Sequence, residues 1–117
     1  MPKVVNRSRG TLVAAGLVRA AGFRARLRGL IGSRPREGLA LLIAPCRAVH
    51  TWFMNRPIDV LFLDGDGRVV RLVEGMRPFR FGPFVPRARA VIEVEAGQAA
   101  ASGTRPGDVL EIVGDGE

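Results

Sequence analysis

The sequence predicts an α+β domain that is mostly β: a compact, partly closed antiparallel β-barrel or sandwich of about six strands with one or two short helices. Three observations lead to this class. Short apolar runs bounded by glycine and proline recur along the chain, one stretch has helical spacing, and an Asp/Gly turn joins two β-rich runs. The 117 residues, 47% of them hydrophobic, fit a single globular domain.

Six apolar runs are the predicted strands, at residues 11–15, 39–43, 57–63, 68–73, 90–94 and 109–113. Both faces of the run 57–63 are apolar apart from Asp59, so we expect this strand to be covered from both sides. The Asp-Gly-Asp-Gly turn at 64–67 links it to the next run as a β-hairpin.

Helical spacing is confined to one part of the chain, where Phe23, Leu27 and Leu30 recur and predict an amphipathic helix over residues 20–31. Residues 96–102 form a second, shorter helical or turn segment. Around these elements we expect a flexible basic segment at 1–10, one globular domain at 11–113 and a C-terminal tail at 114–117.

The termini and the single cysteine give expectations about the compartment. Cys46 is alone and cannot form an intrachain disulfide. No secretory pattern opens the sequence, and the apolar run 39–45 is too short to span a bilayer. We therefore expect a cytoplasmic protein without a membrane span.

The formal net charge is +7, almost all of it from arginine. This charge suits an anionic partner such as nucleic acid or a membrane surface, but the compositional bias of a GC-rich genome also explains it. The arginines are scattered, which favours the compositional explanation. Two local clusters stand out: Arg19, Arg24, Arg26 and Arg28, and Arg77, Arg80, Arg87 and Arg89.

Residues 46–64, CRAVHTWFMNRPIDVLFLD, carry a recognisable block: Phe53-Met54, then Pro57-Ile58-Asp59, then an apolar run ending at an Asp-Gly turn. This block resembles that of a bacterial and archaeal family called domain of unknown function 192, in its variant with Cys and His ahead of the block. Many members have Lys-Asn where this chain has Asn55-Arg56.

Weaker matches to the same family follow in order over roughly residues 11–113: Arg28-Gly29-Leu30, Glu37-Gly38-Leu39, Glu93-Val94-Glu95-Ala96-Gly97 and Gly107-Asp108. The resemblance implies a small, mostly β, barrel-like fold. It implies no established activity, and a fold alone does not supply one.

Cys46 and His50 are a candidate nucleophile and base. They would be neighbours on a helix, whereas in an extended segment they would lie about 13 Å apart, too far for a hydrogen bond. The alternative is a buried thiol beside a hydrogen-bonded histidine. A metal site would need further ligands such as Asp59 or Asp64, so we expect no metal and no cofactor.

Asp59 is a carboxylate within an apolar strand and needs a partner there. It is either a site acid or ligand anchor, or a structural acceptor for backbone N–H groups or for Arg56. A proline-rich loop at 76–86 carries Phe79, Phe81 and Phe84. It is either a docking loop for a protein or apolar ligand, or a cover that folds its aromatic rings over an open barrel end.

The leading functional hypothesis is a non-enzymatic binding or accessory module that takes an anionic small molecule or an acidic partner segment. The predicted cleft is formed by His50, Thr51, Met54, Asp59 and Phe81. A second hypothesis is a small enzyme that uses Cys46, His50 and Asp59. A third is a nucleic-acid binder driven by the arginines.

Overall fold

A computed structural model describes residues 2–20, 38–51 and 56–114. Within these ranges the chain forms strands and one short helix, in the order β1 (Lys3–Asn6), β2 (Thr11–Ala14), β3 (Gly16–Ala20), β4 (Leu39–Ile43), β5 (Ile58–Leu63), β6 (Val69–Met76), β7 (Ala90–Glu95), α1 (Gln98–Ala101) and β8 (Leu110–Val113).

The strands form two sheets. The smaller sheet has the order β2-β1-β8, and the larger has the order β3-β4-β7-β5-β6. All strand pairs are antiparallel except β3 with β4, which is parallel. The structure confirms a mostly β, sandwich-like domain, although neither sheet closes into a barrel.

The first strand differs from expectation, because residues 3–6 lie in the segment predicted to be flexible. Strand β1 is the centre of the smaller sheet and pairs with β2 on one side and β8 on the other. Val4 and Asn6 are fully buried. The four residues of β1 begin with a lysine and end with an asparagine, and this pattern is too short to predict a strand. The strand is recognised only from its pairing with β2 and β8.

Strand β3 was also missed, since residues 16–20 had no assignment ahead of the predicted helix. It pairs in parallel with β4, with Val18 opposite Leu41. The predicted helix over 20–31 falls almost wholly outside the described residues.

Two apolar clusters lie on opposite faces of the larger sheet. The inner cluster fills the space between the sheets: Val4, Val13, Ala14, Leu17, Ala40, Leu42, Leu61, Leu63, Val69, Ile92, Val94 and Leu110. The outer cluster lies on the other face: Val49, Ile58, Val60, Phe62, Met76, Val85, Ala88 and Val91. Every residue of β5 is buried, which confirms that this strand is covered from both sides.

The β5–β6 hairpin ends in the predicted Asp/Gly turn. One Asp64 carboxylate oxygen accepts hydrogen bonds from the N–H groups of Asp66 and Arg68 at 2.9 and 3.0 Å. The Arg68 N–H is the main cause that lowers the pKa of Asp64. Gly67 has φ of 80°, and a Cβ there would lie 2.6 Å from the carbonyl oxygen of Leu110, so the turn requires glycine.

Candidate functional site

Thr51 fixes the proline-rich loop against the segment 44–51. Its hydroxyl donates to the carbonyl oxygen of Arg77 at 2.5 Å and accepts from the N–H of Arg80 at 2.9 Å. Its backbone N–H donates to the Arg80 carbonyl oxygen, and its own carbonyl oxygen accepts from the N–H of Phe79. Thr51 is itself fully buried. This predicted ligand-binding residue therefore holds the loop in place from beneath.

The loop that Thr51 holds presents its aromatic side chains outward. Phe79, Phe81 and Phe84 are 58%, 74% and 68% exposed. The His50 ring packs edge-on against Phe81, with ring centroids 6.1 Å apart, and the two residues also form an isolated β-bridge. We call these three phenylalanines and the arginines around them the Phe/Arg surface.

The two chain segments that form the Phe/Arg surface carry positive charges and no negative ones. Residues 44–51 and 77–89 contain five arginines and no aspartate or glutamate: Arg47, Arg77, Arg80, Arg87 and Arg89. All five arginines are exposed. Carboxylates in these two segments could have offset this charge, and there are none.

Phe79 adopts a left-handed backbone conformation with φ of 60°. For a residue with a large side chain this conformation costs roughly 1–2 kcal/mol. The hydrogen bonds around Thr51 offset that cost, and the Phe79 side chain is 58% exposed.

A cavity of about 400 Å³ lies beside the Phe/Arg surface, lined by residues 45–48 together with Phe84, Ala88 and Arg89. Its walls carry an aromatic ring and two arginines, Arg47 and Arg89. The half-buried Cys46 thiol lines it and donates to the carbonyl oxygen of Ala48 at 3.1 Å. We call this cavity the Cys46 pocket.

Asp59 is buried to 1% exposure and is fully occupied by backbone donors. One carboxylate oxygen accepts from the Gly75 N–H at 2.8 Å, and the other accepts from the N–H groups of Gly97 and Ala99, both at 3.0 Å. These bonds join β5 to the irregularity in β6 and to the start of α1. Arg56, the alternative partner, instead forms an ion pair with Glu95 at 3.2 Å.

The larger sheet separates Asp59 from Cys46. Strand alternation puts Asp59 on the same face as Leu61 and Leu63, which belong to the inner cluster. Cys46 packs against the outer cluster on the opposite face. The three side chains of the enzyme hypothesis therefore do not meet at one site, and Met54 lies outside the described residues.

Glu93 is an ionisable group that the sequence analysis treated only as part of a family match. It lies on the middle strand, β7, between Leu41 of β4 and Val60 of β5. It is fully buried, and within the described parts of the chain neither carboxyl oxygen has a hydrogen-bond partner. Removal from water raises the pKa of Glu93 to about 7. No pattern of residue types predicts this raised pKa, because it arises from the burial of Glu93 between its two neighbouring strands.

Asp108 is a third buried acid, and its partners are side chains as well as backbone. One of its oxygens accepts from the Arg9 guanidinium, the Asn6 amide and the Arg105 N–H, each at 3.0 Å. The Arg9 hydrogen bond is the main cause that lowers the pKa of Asp108 to about 2. This network joins β1 to the turn before β8 and is structural.

Comparison with known proteins establishes the family. Residues 4–112 match the model of the DUF192 family, described as an uncharacterized ACR. The chain belongs to this family, and the match confirms the resemblance seen in the sequence.

Three known proteins are similar to this chain in sequence or in fold. A UPF0127 protein of Pyrococcus horikoshii is 34% identical over 109 residues, which are 88% of this chain and 90% of that protein. The crystal structure of a protein of unknown function from Novosphingobium aromaticivorans superposes with a TM-score of 0.75 at 22% identity, covering 94% of this chain and 82% of that one. A candidate transcription regulator from Sinorhizobium meliloti superposes with a TM-score of 0.69 at 25% identity, covering 95% and 91%.

Residues 2–20, 38–51 and 56–114 contain no helix with the length and apolar character needed to cross a membrane. They also contain no group of three or more histidine, cysteine, aspartate or glutamate side chains placed to hold a metal ion.

Proposed function

We propose that this protein is a non-enzymatic binding module whose Phe/Arg surface docks an acidic segment of a partner protein. The observation that carries the proposal is the loop held by Thr51, which keeps Phe79 in a costly conformation and leaves more than half of the surface of Phe79, Phe81 and Phe84 exposed. Such an arrangement reduces stability in the free protein and is useful when a partner covers it.

The chemistry of the partner follows from the composition of the surface. Aromatic and arginine side chains are the residue types that contribute most to protein interfaces. Guanidinium groups match carboxylates in geometry and charge. A segment that combines aspartate or glutamate with large apolar side chains would complement both.

The loop is also suited to binding because little of it needs to be ordered on association. Thr51 already fixes the backbone from Arg77 to Arg80, so the entropy lost at this loop on binding is small. Like-signed arginines would also accelerate encounter with an acidic segment, and this contribution would fall with added salt.

Binding to an array of synthetic peptides tests the proposal, with glutamate or aspartate combined with leucine, phenylalanine or tryptophan. We expect binding that weakens about tenfold or more in Arg80→Gln and in Phe81→Ala, the loss typical of a contact at the centre of an interface. The matched controls are Arg105→Gln and Leu12→Ala, which change an exposed arginine and an exposed apolar side chain away from this surface. They should leave the affinity unchanged.

Several results would count against the docking proposal. One is the absence of binding by any acidic peptide at low salt, and another is equal binding by peptides with lysine in place of the acids. Tighter binding by a single-stranded oligonucleotide would favour the nucleic-acid hypothesis, because arginines and exposed rings also serve such ligands. An equal loss in Arg105→Gln would show that the peptide binds by net charge alone, and an equal loss in Leu12→Ala would show that it does not recognise the Phe/Arg surface.

A further inference from the structure

The Cys46 pocket lies at one end of the Phe/Arg surface. The two segments that form this surface run antiparallel: the N–H of Thr51 donates to the carbonyl oxygen of Arg80 at one end, and the N–H of Cys46 donates to that of Arg89 at the other. Phe81 lies at the first end, and the pocket lies at the second. A bound segment that crosses the exposed rings therefore reaches the pocket where the surface ends.

Hydrogen bonds between the two walls hold the pocket in shape. The N–H of Val85 donates to the carbonyl oxygen of Arg47 at 2.8 Å, and Nε of Arg47 donates to the carbonyl oxygen of Ala88 at 3.2 Å. The bond from Cys46 to Arg89, at 3.1 Å, adds a third link. Because the chain itself forms the cavity, little has to be ordered when a ligand enters it.

The pocket is lined by residues with unused hydrogen-bond donors. Within residues 2–20, 38–51 and 56–114 the Arg89 guanidinium forms no hydrogen bond or ion pair, and that of Arg47 uses only its Nε. The backbone N–H groups of Arg47 and Ala48 also lack an acceptor in these ranges. Guanidinium groups and successive backbone N–H groups are the donors that proteins use to capture a carboxylate.

The rest of the lining is compact and mainly apolar: Pro45, Cys46, Ala48, Ala88 and the ring of Phe84. A cavity of about 400 Å³ is larger than a carboxylate group alone requires, so an apolar group can enter with it. Within a polypeptide, only the C-terminal residue carries a carboxylate and an apolar side chain on the same carbon atom. An internal glutamate supplies the carboxylate without the apolar side chain, and an internal leucine supplies the reverse.

We propose that the Cys46 pocket holds the C-terminal residue of the partner's acidic segment. Its α-carboxylate contacts the guanidinium groups of Arg47 and Arg89, and its apolar side chain packs against Phe84 and Ala88. This assignment rests on the docking function of the Phe/Arg surface, and it narrows the partner to a protein that ends in the acidic segment. Binding is non-covalent.

Matched peptides test the assignment on the full chain. The probes are acetylated peptides of glutamate and leucine that end in leucine with a free carboxylate. Each control ends in leucine amide and carries an additional glutamate at its start, so that the net charge is the same. In calorimetric titrations we expect the free carboxylate to bind at least about tenfold tighter, since the amide loses charge-assisted hydrogen bonds.

Variants separate the pocket from the rest of the Phe/Arg surface. Arg89→Gln removes one guanidinium at an exposed position and should abolish most of the preference for the free carboxylate. Ala48→Phe, which fills the cavity from another exposed position, should do the same. Arg80→Gln is the matched control: it should weaken both peptide forms by the same factor and so preserve the preference.

Cys46 reports whether the pocket is occupied, because it lines the cavity and is the only cysteine. A peptide with a free carboxylate should slow the alkylation of Cys46 by iodoacetamide. At equal occupancy of the surface, the amide should slow it much less. Equal alkylation rates with the two forms would overturn the placement of the terminal residue in this pocket.

The outcomes distinguish this assignment from the docking function. Equal affinity of the two peptide forms, with both weakened by Arg80→Gln, would overturn the assignment and leave the docking function intact. No binding by any of the probes in either form would overturn both. A preference that persists in Arg89→Gln and Ala48→Phe would overturn the choice of pocket. N-acetylleucine that binds as tightly as the peptides would show that the pocket takes a small carboxylic acid instead of a chain terminus.

Discussion

Replacing Glu93 by glutamine gives the sharpest test of the structure in the absence of any ligand. The substitution keeps the shape of the side chain but removes its ability to ionise. Burial raises the pKa of Glu93 from its ordinary value of 4.5 to about 7. Each pKa unit corresponds to about 1.4 kcal/mol, so ionised Glu93 costs about 3 kcal/mol of the free energy of unfolding.

The direction of the pH dependence follows from that shift. Between the two pKa values the folded protein holds a proton that the unfolded chain has released, so stability falls as the pH rises. The contribution of neutral Glu93 is complete below about pH 4.5 and is lost by the time the pH passes about 7. Glu93→Gln should lack this loss.

Urea unfolding of both proteins between about pH 4 and pH 8 measures the difference. We expect similar stability near pH 4 and a variant that is more stable by up to about 3 kcal/mol at pH 8. Glu95→Gln serves as the control, because Glu95 is partly exposed and paired with Arg56. The refuting result would be a difference in the free energy of unfolding between the natural protein and Glu93→Gln that stays constant across this pH range. The argument that the carboxyl is buried without a donor would then be wrong.

Two further substitutions test the other polar contacts. Thr51→Val should destabilise the protein by about 1–3 kcal/mol, because the Arg77 carbonyl and the Arg80 N–H lose their hydroxyl partner, and should speed amide exchange at Arg80. Thr51→Ser should retain most of the stability, and an unchanged exchange rate in Thr51→Val would contradict the role given to Thr51. Hydrogen bonds, above all the one from Arg9, lower the pKa of Asp108 from 3.8 to about 2, so about 2 kcal/mol of stability should be lost as the pH falls from about 4 to 2. Asp108→Asn should be less stable near neutral pH and should lack that acid-induced loss, as measured by unfolding at each pH.

Much of the larger sheet was predictable because its strands are buried. Runs such as 39–43 and 57–63 are continuous and apolar, which is the pattern of strands with neighbours on both faces. The Asp/Gly turn fixed the β5–β6 hairpin for the same local reason. Strands β1 and β3 were not predicted, because four or five residues of mixed polarity do not show a recognisable strand pattern.

Several residues of the candidate site could be predicted from the sequence, but their arrangement in space could not. The loop with Phe79, Phe81 and Phe84 was recognised as unusual, but the sequence did not predict how far its side chains are exposed. Thr51 was predicted to line a ligand cleft, and only the structure shows that it is buried and hydrogen-bonded to the loop. Asp59 drew attention as an acid in an apolar strand, and the amides that satisfy it come from residues 16 to 40 positions away.

By itself the sequence determined the family, the mostly β class and the positions of the long buried strands, because those depend on local patterns of apolar residues and turns. Only the tertiary structure decided which polar groups are satisfied. Asp59 and Glu93 are both acids within apolar strands, and nothing in their local sequence separates them. Asp59 faces the inner side of the sheet, where the N–H groups of Gly75, Gly97 and Ala99 converge on it. Glu93 faces the outer side between Leu41 and Val60, where the described chain offers no donor.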